Sequence, residues 1–198
     1  PESLKPALQG VEALFHAAAL LGNNNTRDRA ARMYAVTVEG TRSLYQAALE
    51  AGVGRAVHTS SVAALGVPDR IGGSRGSATS LMDECHTWNY HPQGWPYGYS
   101  KYLAELEAQK AVARGLDVVI VNPSIVFGAG DIYRQNNSIL IQVSRQHVPF
   151  LPEGGANAVH IADVVDGHLA ALERGRSGER YILGGENLTH VELVRMIA

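Results

Sequence analysis

Apolar residues fall along this chain in two rhythms. Short continuous runs, Val11 to Ala19, Arg55 to Thr59 and Leu116 to Val121, are bounded by glycine or polar residues and read as buried strands. Between them, apolar residues recur at helical spacing. From Arg27 to Ala51 the repeat runs through Met33, Val36, Leu44, Ala47 and Ala48, with Gly52 placed to end the helix. Tyr97 to Arg114 reads as a second helix, closed by Gly115. Further on, helices are expected over Asn137–Gln146 and from a cap at Asp163 to about Arg174. Short strands are expected at Ala158–Ile161 and Arg180–Leu183, and residues 2–9 read as a short helix. Thr189 and Glu192 have the spacing of a capping box for a last helix. Residues 66–96, rich in Gly, Pro, Ser and His, show no period and form a long connection, a length that is usually functional.

Strands that alternate with helices and are apolar throughout predict an α/β fold, a doubly wound parallel sheet with both faces covered. Ligands on such sheets sit at the carboxyl ends of the strands. Here those ends are Ala17–Ala19, Ser60–Ser61 and Asn122–Val126. The 198 residues, 45% of them hydrophobic, suffice for one medium domain or one domain and part of a second. A net charge of −2 offers no footprint for nucleic acid. Every apolar run is too short to span a membrane. A single cysteine, Cys85, excludes an intrachain disulfide and fits a cytoplasmic setting. Pro1 at the start and a helix cut short after Thr189 predict that the chain is a piece of a longer protein.

Tyr97 and Lys101 stand i, i+4 on a predicted helix and share a face. An ammonium near a phenol favours the phenolate, so such a pair can pass a proton to or from a carbonyl or alcohol oxygen. Ser60 and Ser61 follow a buried strand, where a hydroxyl reaches the crevice above the sheet; an isolated Ser-Ser is more often a turn or a cap. Trp88, Tyr90 and Trp95 crowd the loop before Tyr97, either anchoring it or walling a flat substrate. His86, His91 and Cys85 lack the second ligand pair a metal site needs, so no metal is expected. His16, His160 and His168 read as packed or hydrogen-bonded structural histidines.

Several motifs, in order, resemble the extended short-chain dehydrogenase/reductases, the NAD-dependent epimerase/dehydratase family. They are His16 with Ala17-Ala18-Ala19, Val38-Glu-Gly-Thr41, Val57-His-Thr-Ser-Ser-Val-Ala-Ala-Leu-Gly66, Tyr97-Gly-Tyr-Ser-Lys101 with Ala104-Glu105, Asn122-Pro-Ser-Ile-Val-Phe-Gly128, Val159-His-Ile-Ala-Asp-Val164 and Tyr181-Ile-Leu-Gly-Gly185. The resemblance covers nearly the whole chain. It implies a Rossmann-like fold, truncated at its N-terminus, with part of a small substrate domain. Residues 1–130 and 156–175 would belong to the NAD(P)-binding part, and 131–155 and 176–198 to the substrate-binding part.

Residue by residue, the resemblance implies Tyr97 as general acid/base, Lys101 as its partner and a ribose ligand, and Ser61 as the group that polarises the substrate oxygen. Ala17, Ala18, Ala19, Thr59, Ser60, Pro123, Ser124, Ile125 and Val126 would line NADP or NAD, with NADP preferred. Val62, Ala63 and Trp95 would join Ser61 against a small carbonyl or alcohol substrate. A homodimer is a further implication.

The chain departs from the family in three places. No Gly-x-Gly-x-x-Gly or Gly-x-x-Gly-x-x-Gly follows a strand, so the phosphate-binding turn, which the family carries upstream, is absent. Thr37 stands where the family often has the Asn of a proton relay to Lys101. Asn122 and Ile125 replace residues that grip a nucleotide diphosphate in the sugar epimerases, which favours the branch similar to dihydroflavonol 4-reductases and 3β-hydroxysteroid dehydrogenases. The leading expectation is hydride transfer between a nicotinamide and a ketone or secondary alcohol. The rivals are a nucleotide-sugar epimerase or dehydratase with bound NAD, and a non-catalytic NAD(P)-binding module.

Overall fold

The computed structural model describes residues 3–21, 27–69, 80–129, 141, 143, 145, 151 and 153–197. The elements that carry the site run as follows: α1 (Leu4–Leu8), β1 (Ala13–His16), α2 (Arg27–Met33), a π-helical segment (Tyr34–Glu39), α3 (Gly40–Ala51), β2 (Arg55–Thr59), a 3₁₀ turn (Val62–Leu65) and α4 (Pro96–Ala113). After these come β3 (Val118–Pro123), β4 (Ile125–Phe127), β5 (Gly155–His160), α5 (Ile161–Arg174), β6 (Arg180–Leu183), β7 (Glu186–Thr189) and α6 (His190–Ile197).

Four strands form a parallel sheet in the order β1-β2-β3-β6. The period of two along each strand sends alternate side chains to opposite faces. Ala56, Val118 and Ile120 pack with Tyr45, Ala47, Ala48, Ala108 and Ala111 of α3 and α4. Val57, Val119 and Val121 pack with Ala171 of α5. Val118 through Val121 have no exposed surface, as expected of a strand covered on both faces. The doubly wound parallel sheet read from the sequence is therefore the architecture of the larger part of the chain. Alanines at 104, 108 and 111 let α4 lie close to β3.

A second sheet, β4-β5-β7, is small and mixed, with β4 parallel and β7 antiparallel to β5. Its outer strands are largely exposed. Arg180–Leu183 completes the main sheet, while Gly155–His160 belongs to the small one.

Other differences are local. The helix expected to run unbroken from Arg27 to Ala51 contains the π segment, in which Thr37 and Val38 are buried. Gly52 does end it, at φ 72°. The cap of α5 is His160, whose Nδ1 accepts from the Ala162 N–H at 3.2 Å; Asp163 lies in the first turn, where its charge still complements the helix dipole. The capping box is formed as read: Thr189 N–H donates to Glu192 Oε2 at 2.8 Å and Glu192 N–H donates to Thr189 Oγ1 at 3.1 Å. The helix expected over Asn137–Gln146 falls mostly outside the described residues. Among the described residues, no helix is long and apolar enough to cross a membrane.

Candidate active site

β2 ends at Thr59, and the chain turns sharply through Ser60 and Ser61 into the 3₁₀ turn. Ser61 caps that turn: its Oγ accepts from Ala63 N–H at 3.2 Å. Tyr97 opens α4 opposite, one residue after Pro96 in the first helical position. Gly98 makes this approach possible, since a Cβ there would lie 2.8 Å from both the Ala63 carbonyl oxygen and the Trp88 ring. The result is that the Ser61 hydroxyl comes close enough to the Tyr97 phenol to favour its ionised form.

One turn along α4, Lys101 is 4% exposed and its Nζ donates to the Thr59 carbonyl at 2.9 Å. Ser61, Tyr97 and Lys101 thus converge at the carboxyl end of β2. Burial pushes the Tyr97 phenol up, and the Ser61 hydroxyl only partly offsets this. The phenol was expected to be pulled down by Lys101; here burial moves it the other way, and the group acting against burial is Ser61. Burial also lowers Lys101 to about 8, with Glu105 acting in the opposite direction. At neutral pH the site therefore holds a neutral phenol beside an ammonium.

The remaining expected residues distribute around this point. Ala17 and Ala18 are exposed just past β1, and the adjoining Leu20 N–H donates to Thr37 Oγ1 at 3.3 Å. Thr37 thus holds the loop that follows β1. Thr59 Oγ1 bonds His168 Nε2 at 2.9 Å; His168 Nδ1 lies 2.7 Å from the Val164 carbonyl, so Nε2 is the acceptor. Pro123 is buried at the end of β3, and Ser124 N–H donates to the Leu183 carbonyl at 3.1 Å. The Ser124 hydroxyl is buried with no hydrogen-bond partner, and Ile125 and Val126 are exposed. Val62 and Ala63 form the turn beneath the serine, and Trp95 packs against Gly98.

Ser60 does not face the crevice with Ser61. Its hydroxyl donates to Glu105 Oε1 at 2.5 Å, on the α4 side of the sheet. Trp88 packs against Tyr99 and Tyr102, on the outward side of α4, as well as against Trp95. That arrangement anchors the loop. His86 serves the same loop, with Nε2 3.1 Å from the Val67 carbonyl.

Beneath the site lies a buried aromatic–histidine cluster that the sequence did not reveal. His16 Nε2 is 2.7 Å from Thr41 Oγ1, which itself donates to the Thr37 carbonyl at 2.6 Å, so the His16 proton sits on Nε2. Burial lowers His16 to about 4 and His58 well below its usual range, and both rings are neutral. Tyr45 Oη bonds His58 Nδ1 at 2.8 Å. Their only sequence signal was histidine inside otherwise apolar strands.

A bound dinucleotide is what this crevice fits at its nicotinamide end. Two exposed alanines leave the backbone after β1 open, Lys101 keeps two ammonium protons beyond the one given to Thr59, and Ser124 offers an unpartnered hydroxyl. The glycine turn that would cradle the pyrophosphate is not in the sequence.

Comparison with known proteins agrees with this geometry. The model of the NAD dependent epimerase/dehydratase family matches residues 1–184. A provisionally named dihydroflavonol 4-reductase of Synechocystis sp. is 39% identical over 191 residues, which cover 94% of this chain and 53% of that protein. Cinnamoyl-CoA reductase 1 of Oryza sativa subsp. japonica is 30% identical over 208 residues, covering 98% of this chain and 56% of its own. The crystal structure of DesIV, a dTDP-glucose 4,6-dehydratase from Streptomyces venezuelae with NAD bound, superposes with a TM-score of 0.80 at 28% identity, covering 99% of this chain and 59% of that one. The chain spans about half the length of the curated relatives it matches. A family match over nearly the whole chain and a converging Ser61, Tyr97 and Lys101 lead to one conclusion: this chain belongs to the NAD-dependent epimerase/dehydratase family, the extended short-chain dehydrogenase/reductases.

Proposed function

We propose that the chain carries the active site of an NAD(P)-dependent reductase that converts a ketone to a secondary alcohol, similar to the dihydroflavonol 4-reductases. The observation that carries this reading is the meeting of Ser61, at the end of β2, with Tyr97 and Lys101 of α4, the Lys101 ammonium being held on the Thr59 carbonyl at 2.9 Å. A bound reduced nicotinamide supplies the hydride. The chain's own residues manage the proton. Ser61 Oγ accepts from Ala63 N–H, which leaves its O–H free to donate to Tyr97 Oη or to the substrate oxygen. Tyr97 gives its proton to that oxygen as negative charge develops there. The phenolate left behind is stabilised by Ser61 and by the Lys101 ammonium.

Asn122 favours a reductase over a sugar-nucleotide epimerase. It is wholly buried and donates to Glu105 at 2.6 Å and to the Ser61 carbonyl at 3.0 Å, so it is spent inside the protein and not on a diphosphate. NADP is the preferred cofactor in this reading. The division into a cofactor-binding and a substrate-binding part, with Arg180–Leu183 counted in the former, and a homodimer complete it. The expected result for Tyr97→Phe in the whole enzyme is at least about a hundredfold loss of kcat with cofactor affinity retained, measured by NADPH consumption. A near-normal rate removes Tyr97 from the mechanism. NAD that copurifies, with no net consumption of added cofactor, would instead mark an epimerase or dehydratase.

A further inference from the structure

One buried charge is not used by the mechanism above. Glu105 is 1% exposed, on the face of α4 that also carries Tyr97 and Lys101, at successive i+4 steps. Its Oε1 accepts from Ser60 Oγ at 2.5 Å and from Asn122 Nδ2 at 2.6 Å. Arg180 Nη2, from β6, lies 2.8 Å from Oε2 as an ion pair outside hydrogen-bond alignment. The same Asn122 amide nitrogen donates to the Ser61 carbonyl at 3.0 Å. Arg180 Nη1 donates to the His86 carbonyl at 2.9 Å, in the loop that leads to Tyr97. One carboxylate thus joins the ends of β2 and β3, the edge strand β6 and the helix of the Tyr-Lys pair.

We propose that Glu105 is a positioning residue: its carboxylate sets the height and rotation of Ser61 through Ser60 and Asn122, and supplies the counter-charge to Lys101. This inference rests on the reductase reading of the site.

The physical argument concerns the charge. Removing a carboxylate from water costs several kcal/mol, and a glutamine would accept the same two hydrogen bonds on its amide oxygen without that cost. A carboxyl here, with two donors on Oε1 and the Arg180 guanidinium against Oε2, therefore points to an electrostatic task. Two cations flank it, Lys101 and Arg180. The other titratable groups near Lys101 are His16 from β1, His58 from β2 and Tyr97 from α4, and all are neutral at neutral pH. Among the described residues, Glu105 is the negative charge that acts on Lys101, against the desolvation of its ammonium. A neutral lysine would neither stabilise the Tyr97 phenolate nor hold a ribose as a cation.

Two variants separate the two tasks. Glu105→Gln keeps the acceptor and removes the charge. In the whole enzyme, ¹³C-methylated lysine NMR should show the Lys101 titration midpoint about one pH unit lower, with the alkaline limb of kcat moving down with it. Glu105→Asp keeps the charge and shortens the reach. It should leave the Lys101 midpoint near wild type while kcat falls about tenfold and cofactor affinity stays within about threefold. A Lys101 midpoint unmoved in Glu105→Gln overturns the electrostatic half. Losses in both variants that track only melting temperature, with no split between kcat and KM, overturn the positioning half. Should Glu105→Gln fail to fold, the kcat–KM split in Glu105→Asp still decides the matter. Tyr97→Phe measured alongside separates a failure of this inference from a failure of the reductase reading, because the Lys101 titration is read without turnover.

Discussion

The two sheets of this protein are built on opposite terms. In the main sheet, Val118 to Val121 have no exposed surface, and His58, Ser60, Glu105 and Asn122 are sealed in among them. In the small sheet, β4 shows Ile125 and Val126 to the outside, β7 carries exposed Glu186 and Asn187, and α6 leaves Met196 67% exposed. Water is excluded from the middle strands of the first, β2 and β3, and reaches most of the second. Hydrogen bonds and charges gain strength where solvent is absent. The proton chemistry accordingly sits at the mouth of the sealed sheet. The open sheet offers apolar surface at the C-terminal side of β3, suited to contacts that vary with the ligand.

Truncation tests the contrast most severely. Ile120→Ala in β3 should cost about 3–4 kcal/mol, since it opens a cavity between sheet and helix that cannot refill with water. Leu188→Ala in β7, only half-buried, should cost less than about 1.5 kcal/mol. Urea denaturation of both variants measures the gap; equal losses would erase the distinction between the sheets.

Acid should strike the same sealed region. The pKa values of His16 and His58 are lower when folded than when unfolded, so between pH 6.5 and about 4 the unfolded chain binds more protons. Stability is therefore intact above pH 6.5 and falls as pH drops towards 4, by an amount on the order of 3 kcal/mol from His16 alone. His16→Gln, which keeps a donor for Thr41, should flatten the stability–pH curve in that window. A curve as steep as wild type would place the acid sensitivity elsewhere.

The smallest effect is local. A Cβ on Gly185 would collide with the Ala158 carbonyl oxygen, at the join between β7 and β5. Gly185→Ala should strip hydrogen-exchange protection from the amides of β5 and β7, leave β2 and β3 protected, and change global stability by no more than about 1 kcal/mol. Loss of protection across both sheets would show that they unfold as one unit.

Legibility in the sequence follows the same divide. β3 announces itself by the unbroken apolar run Val118–Val121 and β2 by Ala56-Val57 between turn residues, so both were readable, as were the helices with their glycine stops at Gly52 and Gly115. The small sheet was read only in part: β4 and β7 are three or four residues of exposed, mixed side chains with no period to detect. The π segment at Tyr34–Glu39 left no trace, because its residues keep helical spacing. Of the site, Ser61 and the Tyr97–Lys101 face were legible through motif and spacing. Ser60 was not: it was grouped with the crevice, yet alternation along the chain turns its hydroxyl to the opposite side, toward Glu105.

By itself the sequence determined what depends on near neighbours. It placed the strands and helices and put a phenol and an ammonium on one helix face, because dihedral preferences and i, i+4 geometry operate within a few residues. Tertiary structure alone decided that Ser61 meets Tyr97, that burial pushes the phenol upward and that Glu105 gathers Ser60, Asn122 and Arg180 from separate parts of the chain. Those outcomes depend on which side chains packing brings together and on how much water it removes, and neither quantity is written into any short stretch of chain.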